Sequence, residues 1–367
     1  MSNPVDVCWC TNAMVGHTAL SGQPGKLIDV LDAFLLTGFG SKDVTPLIVA
    51  SGVATATVSG GHDFLDHVVV EMANASPSGL NGKKRITVVN STTFTFDATG
   101  ISDQTATTSS TITAKMAPPG SWEKAFSDTN KAAYHSTAIG STGHYLRVDD
   151  SNAQVTALTM YETMSDVDTG TGSSGLVYHT KSSSANATEN EWILVGDSQL
   201  FYLLSSAGND GEITSALCFG DIVSYKSPDP YACVIVGQSS GVTYVPYLQD
   251  FASTSASILS RSHTGYESAI GMSRYSHGKT ATRAGYQGGS YPNPVDDSAY
   301  FWPIDSWESA GPRGMMPGLW NPIHSANITH KTIITAIPEL AGRSLLVSNC
   351  YSSYAQLGFD ITGPWRE

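Results

Sequence analysis

Between residues 44 and 115 the chain carries five or six short alternating segments and no helical period, and this stretch narrows the possible folds more than any other. The segments are PLIVASGVATATVS (46–59), HVVVEMA (67–73), RITVV (85–89), FTFDATG (94–100) and SSTITAK (109–115). β-Branched and aromatic residues at every second position suit a pleated, half-buried surface. SPSGLNG (76–82) is turn chemistry, and Asn81-Gly82 favours a tight hairpin. So many short strands in so few residues predict a small β-barrel or sandwich, with the barrel taken forward. The flanks, GFGSK (38–42) and APPGSWEKAFS (117–127), read as though they could be joined directly. The expectation is an insertion at a loop of a host domain, which is where chains tolerate one. Residues 1–43 and 116–367 would form the host and residues 44–115 the inserted barrel.

The host reads as mainly β. Its clearest helix lies within SGQPGKLIDVLDAFLLTG (21–38), where Leu27, Val30, Leu31, Phe34 and Leu35 share one face. Pro24 suits the first turn and Gly38 the end. Strand candidates then follow at regular spacing: GHYLRVDD (143–150), QVTALTMYETM (154–164), EWILVGDSQLFYLLSS (191–206), EITSALCFGDIVSYK (212–226) and YACVIVGQSSGVTYV (231–245). GRSLLVSN (342–349) and QLGFDITGPWRE (356–367) supply two more. This predicts an antiparallel β-sandwich or twisted sheet with one N-terminal helix. Residues 250–330 are aperiodic and rich in Gly, Pro, Tyr and Trp. They are expected to form a long irregular segment covered by a partner.

Charge limits the partners. The net charge is −13, which argues against direct nucleic-acid binding, since that needs a basic face to displace counterions. Charged residues make up only 14%, against about 25% in an average soluble domain, and Ser, Thr, Asn and Gly fill the difference. That balance suits sheets and subunit surfaces. The only dense basic run, Lys83-Lys84-Arg85, reads as a solvated strand edge. No window approaches 18 uncharged apolar residues, and the N-terminus lacks the pattern of a signal peptide, so no membrane association is expected and synthesis in a cytoplasm is. The five cysteines, at 8, 10, 218, 233 and 350, show no CxxC spacing. Cys8 and Cys10, two apart on one strand face, read as small buried hydrophobes, with a Cys218–Cys233 disulfide as the lesser alternative.

The short motifs are weak. GQSSG (237–241) matches the nucleophile-elbow pattern, but VTYVPYL after it is strand-like, where an elbow needs a helix. GTGSSG (170–175) likewise lacks the helix that would receive a pyrophosphate. Asp166 and Asp168 suggest a calcium loop, but the twelfth position is Val177. The ten histidines show no HExxH spacing. No catalytic, cofactor-binding or metal-ligating set is therefore expected. The residues singled out are Tyr300, Phe301, Trp302, Trp307, Arg313, Met315, Met316 and Trp320, with Arg283 nearby. Aromatics, Met and Arg are enriched at interface cores, so these are the candidate interface. The alternative is a sugar-stacking platform, with Asp296, Asp297, Asp305 or Glu308 as acid and base.

LIDVLDAFLLTGFGSK, GSWEKAFSDTNKAAY, HYLRVDDSNAQVTALTMYETMSDVDTGTG, EWILVGDSQLFYLL, FGDIVSYKSPDPYACVIVG and FDITGPWRE together resemble a family of virion-associated structural proteins of tailed bacteriophages. HDFLDHVVVEMANASPSGLNGKKRITVVNSTTFTFDATG resembles a small β-module of phage tail and fibre proteins, related in fold to the first catalytic cysteine half-domain of ubiquitin-activating enzymes. Asp63-Phe64-Leu65-Asp66 stands where that module usually has a Gly-bearing turn. The resemblance implies a non-enzymatic component of the tail, collar or baseplate, assembled in symmetric copies with other virion proteins and located in the virion. A tail-tip protein that binds or depolymerises host surface glycan, and a capsid decoration protein, are the alternatives.

Overall fold

The structure is a computed structural model that describes residues 5–208, 213–238, 257–265, 268–271, 273–276, 279–280, 301–322, 328–349 and 356–366. It is mainly β, and every strand pairing is antiparallel.

The host is organised around a seven-stranded sheet. Its order is Cys8–Thr11, Trp192–Gly196, Leu200–Ser205, Ser215–Asp221, Cys233–Val236, Ser257–Arg261 and Ser268–Gly271. WILVG, LFYLLS and SALCFGD are buried at every position. Consecutive side chains on a strand point to opposite faces, so both faces of this sheet must be covered. Two neighbouring residues show how. Phe201 meets Trp122 edge-on at 5.5 Å, whereas Tyr202 meets Phe359 at 5.4 Å on the other side. Trp122 belongs to a five-stranded sheet, Trp122–Asp128, Lys131–Ser136, Tyr145–Asp149, Val155–Tyr161 and Leu176–Thr180 in order. Phe359 belongs to an eight-stranded sheet that contains Phe301–Glu308, Gly311–Pro322, Gln356–Asp360, Arg343–Asn349 and Ile333–Ile337.

The helix forms where its apolar stripe lies. It runs over Lys26–Asp32 and continues as a wider π turn over Ala33–Thr37. Leu27, Val30, Leu31, Phe34 and Leu35 are all buried. Gly25 and Gly38 bracket it with φ of 80° and 67°.

The insertion is mounted on a paired stem. Phe39–Asp43 runs antiparallel to Thr113–Met116, with Phe39 opposite Met116, so the chain leaves the host and returns at one place. Val69–Ala73 and Gly82–Arg85 extend this stem into a four-stranded sheet. Gln104–Thr105, Leu47–Ala50, Val53–Thr57, Thr93–Asp97 and Thr87–Asn90 form a second, five-stranded sheet. The expected closed barrel does not form among the described residues. RITVV is divided at the buried Ile86, which carries the chain from one sheet to the other.

Three local expectations are corrected here. Asn81-Gly82 is not a two-residue hairpin. A single turn of 3-10 helix, Ser78–Leu80, precedes it, and the Asn81 amide both donates to and accepts from the Ala75 backbone at 2.8 Å. Arg85 is not a solvated edge residue, being 3% exposed. Its guanidinium donates to the carbonyls of His67, Ile361, Val7 and Thr362 at 2.6–3.1 Å, which ties the module to both ends of the host chain. Within 250–330 the described residues are largely strand, including the eight-residue Phe301–Glu308 and twelve-residue Gly311–Pro322. Bulges at Pro303/Asp305 and Ser306/Trp307 absorb the prolines and hide the period of two.

Candidate functional site

The hairpin Phe301–Glu308/Gly311–Pro322 holds most of the residues singled out from sequence, and beside it lies a cleft of about 170 Å³. Tyr225, Lys226, His263, Glu308, Ala310, Gly311, Pro312 and Arg313 line it. The strand Val223–Ser224, which leads into YKSPDP (225–230), pairs with Gly314 and Met315 and so brings Tyr225, Lys226 and Asp229 to the hairpin.

Beneath the cleft is a buried charge cluster. Arg313 is 2% exposed. It grips Asp229 with two parallel bonds of 2.7 Å and donates to Glu308 at 3.1 Å. Such fork-to-carboxylate geometry is among the strongest polar contacts a protein makes. Glu308 also faces His263 Nδ1 at 2.6 Å and accepts the His263 backbone N–H. Burial pulls the Asp229 carboxyl upward, but the Arg313 fork and the Ser224 hydroxyl outweigh it and hold it below the usual range. At the exposed rim, Tyr225 donates to Asp305 at 2.7 Å, and burial with that carboxylate pushes the phenol up to about 12.

The candidate interface residues therefore divide. Arg313 and Met316 are buried within this chain. Phe301, Trp302, Trp307, Met315 and Trp320 are half-buried. Tyr300, Asp296, Asp297 and Arg283 lie outside the described residues. Of the carboxylates considered as acid and base, Glu308 has its oxygens engaged by Arg313 and His263, and Asp305 accepts from Tyr225. Asp229, Tyr225 and His263 were not singled out from sequence. SPDP reads only as a turn, and nothing local to His263 points forty-five residues ahead to Glu308.

Where they are described, the remaining motifs make local structural contacts. Asp168 accepts from Lys131 and Arg147, and GTGSSG continues a short hairpin, Thr163–Asp166 with Thr169–Thr171, with no helix after it. Gln238 of GQSSG bridges to Tyr178, and residues 239–241 of that motif lie outside the described residues. Cys8, Cys10, Cys218 and Cys233 are buried and form no disulfide with one another, and burial pushes Cys8 up to about 11. Cys350 lies outside the described residues. At Asp63-Phe64-Leu65-Asp66, the turn is set by His62, whose Nδ1 accepts the Phe64 N–H and whose ring stacks on Phe64. In the terminal FDITGPWRE, Asp360 accepts the backbone N–H groups of Thr362 and Gly363, and Arg366 pairs with Asp197. No helix among the described residues is long and apolar enough to cross a membrane.

No family model matches the chain, and no curated protein matches it. Among solved structures, a phage phi92 endosialidase is similar over 89% of this chain and 71% of that one, at 12% identity and a TM-score of 0.19. A score that low carries no argument about fold or activity.

Proposed function

We infer that this chain is a non-enzymatic structural component of a bacteriophage virion, in the tail, collar or baseplate, where copies of it pack against each other and against other virion proteins. The observation that carries the reading is the outer face of the inserted module. Thr105, Ile48, Thr55, Thr95 and Thr87 stand opposite one another across all five strands of its second sheet. None is buried, none is charged, and Ile48 is 41% exposed. An unburied, uncharged row of this kind, on a module fixed by its stem and by Arg85, suits burial against a neighbour. The sequence resemblance to virion structural proteins supports the same reading. A permanent assembly of this kind buries about 2,000 Å² or more per interface.

Cryo-electron microscopy of the intact particle tests it. Density for this chain in a symmetric ring, with the threonine face covered, is the expected result. A particle map without the chain, or with it present and the face open to solvent on every copy, sinks the reading. The second reading, a tail-tip glycan binder, draws on the cleft at Tyr225, Lys226 and His263. Binding of host polysaccharide that is lost in Tyr225→Ala would favour it.

A further inference from the structure

Lys181 and Asp150 form an ion pair with both side chains 0% exposed. They flank the strand Val155–Tyr161: Asp150 follows Tyr145–Asp149, and Lys181 follows Leu176–Thr180. Asp29, Lys26 and His179 lie within electrostatic reach of Lys181, and Tyr134 within reach of Asp150. Lys181 Nζ contacts Asp150 Oδ1 and donates to the carbonyl of Gln23 at 2.7 Å. Asp150 Oδ1 also accepts the Thr156 hydroxyl at 2.5 Å, and Oδ2 accepts the Leu27 backbone N–H at 2.8 Å.

Two ions held in so dry a place lose the hydration that favours their charged forms. Burial pushes the Asp150 carboxyl up, against the pull of Lys181, and pushes the Lys181 ammonium down, against the pull of Asp150. Both effects favour passing one proton across the pair. The pair thus stands nearer to a neutral amine facing a neutral carboxylic acid than a solvated pair does, with the two groups in direct contact.

We propose that Lys181 Nζ and Asp150 Cγ condense in the folded chain to an intramolecular amide. The proton moves first from the ammonium to Oδ1. The Nζ lone pair then adds to Cγ and the C–N bond forms. The Cγ–Oδ1 bond breaks, and Oδ1 leaves as water, carrying the carboxyl proton and one proton from the amine. Thr156, already donating to Oδ1, supports the departing oxygen. No oxidant, reductant or cofactor is consumed. The product fits the donors and acceptors present: its single N–H is aimed at the Gln23 carbonyl, and Oδ2 keeps the Leu27 N–H. An amide with both groups partnered replaces two buried charges, and the cost of desolvating those charges again opposes hydrolysis in the same site. The bond is independent of where the chain sits in a particle.

The test is the mass of the purified full-length chain under denaturing conditions, followed by a tryptic map. The expected chain is lighter than its sequence by one water. Trypsin leaves the bond after Lys181 uncut, so residues 148–226 stay in one internally looped peptide, one water lighter than its sequence; chymotrypsin, cutting within the loop at Tyr161 or Tyr178, then leaves two segments joined through residues 150 and 181. Lys181→Arg restores the full mass, because a guanidinium does not acylate here. A wild-type chain at full mass and cut after Lys181 overturns the proposal. So does a water loss that persists in Lys181→Arg, or one found in a chain still cut after Lys181, since an aspartyl succinimide loses the same mass.

Discussion

Replacing Arg85 with methionine should free the inserted module from the host before either unfolds. Three of the four carbonyls that Arg85 holds belong to the host: Val7 at 2.9 Å, Ile361 at 2.8 Å and Thr362 at 3.1 Å. Bonds to a charged donor contribute about 1.5–3 kcal/mol each, so the gross coupling through three is about 4.5–9 kcal/mol. Against this stands the desolvation of a guanidinium that is 3% exposed, an effect large enough to lower its pKa despite nearby acids. Methionine removes that penalty but leaves three buried carbonyls without a donor, at about 1–3 kcal/mol each. The net loss should be about 3–5 kcal/mol, which is the range for stripping one side of a buried charged contact. Limited proteolysis reads it directly, with new cleavage expected near residues 43–45 and 117–120 while the module core stays protected. Arg85→Lys should recover less than half, because an ammonium has three donors and no planar fork. An unchanged unfolding midpoint together with unchanged cleavage in Arg85→Met would refute the clamp.

Two further outcomes follow from the structure. His179 lies between the hydroxyls of Ser205 and Ser215, and burial lowers its pKa to about 3. The folded chain therefore refuses a proton that the unfolded chain accepts near pH 6.5, so stability falls as pH drops between those values, by up to about 1.4 kcal/mol per pH unit. Denaturant midpoints across that range should slope accordingly, and His179→Gln should lose one proton's worth of slope. Gly38→Ala should cost at least about 2 kcal/mol through strain alone, since φ is 67° and a Cβ would stand 2.0 Å from the Met116 carbonyl oxygen. Calorimetry on that variant should show the stem loosened; a wild-type midpoint would contradict it.

What was legible in the sequence was whatever a single strand or helix encodes locally. The stripe Leu27, Val30, Leu31, Phe34 and Leu35 carries its own period, and the structure buries all five. The changes of composition that suggest an insertion fall near the paired strands where Phe39 stands opposite Met116. Closure was not legible, because whether strands meet edge to edge depends on where the chain changes sheets. One buried isoleucine, Ile86, does that. Arg85 was misread for a related reason. A basic run at a strand end is usually solvated, and nothing nearby announces that carbonyls some 276 residues away will take its donors. The Arg313 cluster was half visible: Arg313 and Glu308 lie in the stretch that stood out, while Asp229 arrives on another strand. Prolines and bulges concealed that hairpin, because a register shift breaks the alternation on which a strand is recognised.

The stem has a mechanical consequence. Because the module leaves and rejoins the host through two strands lying side by side, a force on the module reaches the host through both at once. Each covalent segment bears part of the load, and the rungs between the two strands are not what must break for the module to be displaced. Arg85 adds a third tether, to residues near both ends of the host chain. A tug on the module's outer face is thus spread over three anchor points, so the module should tilt little under tension and transmit a pull to the host as a nearly rigid lever.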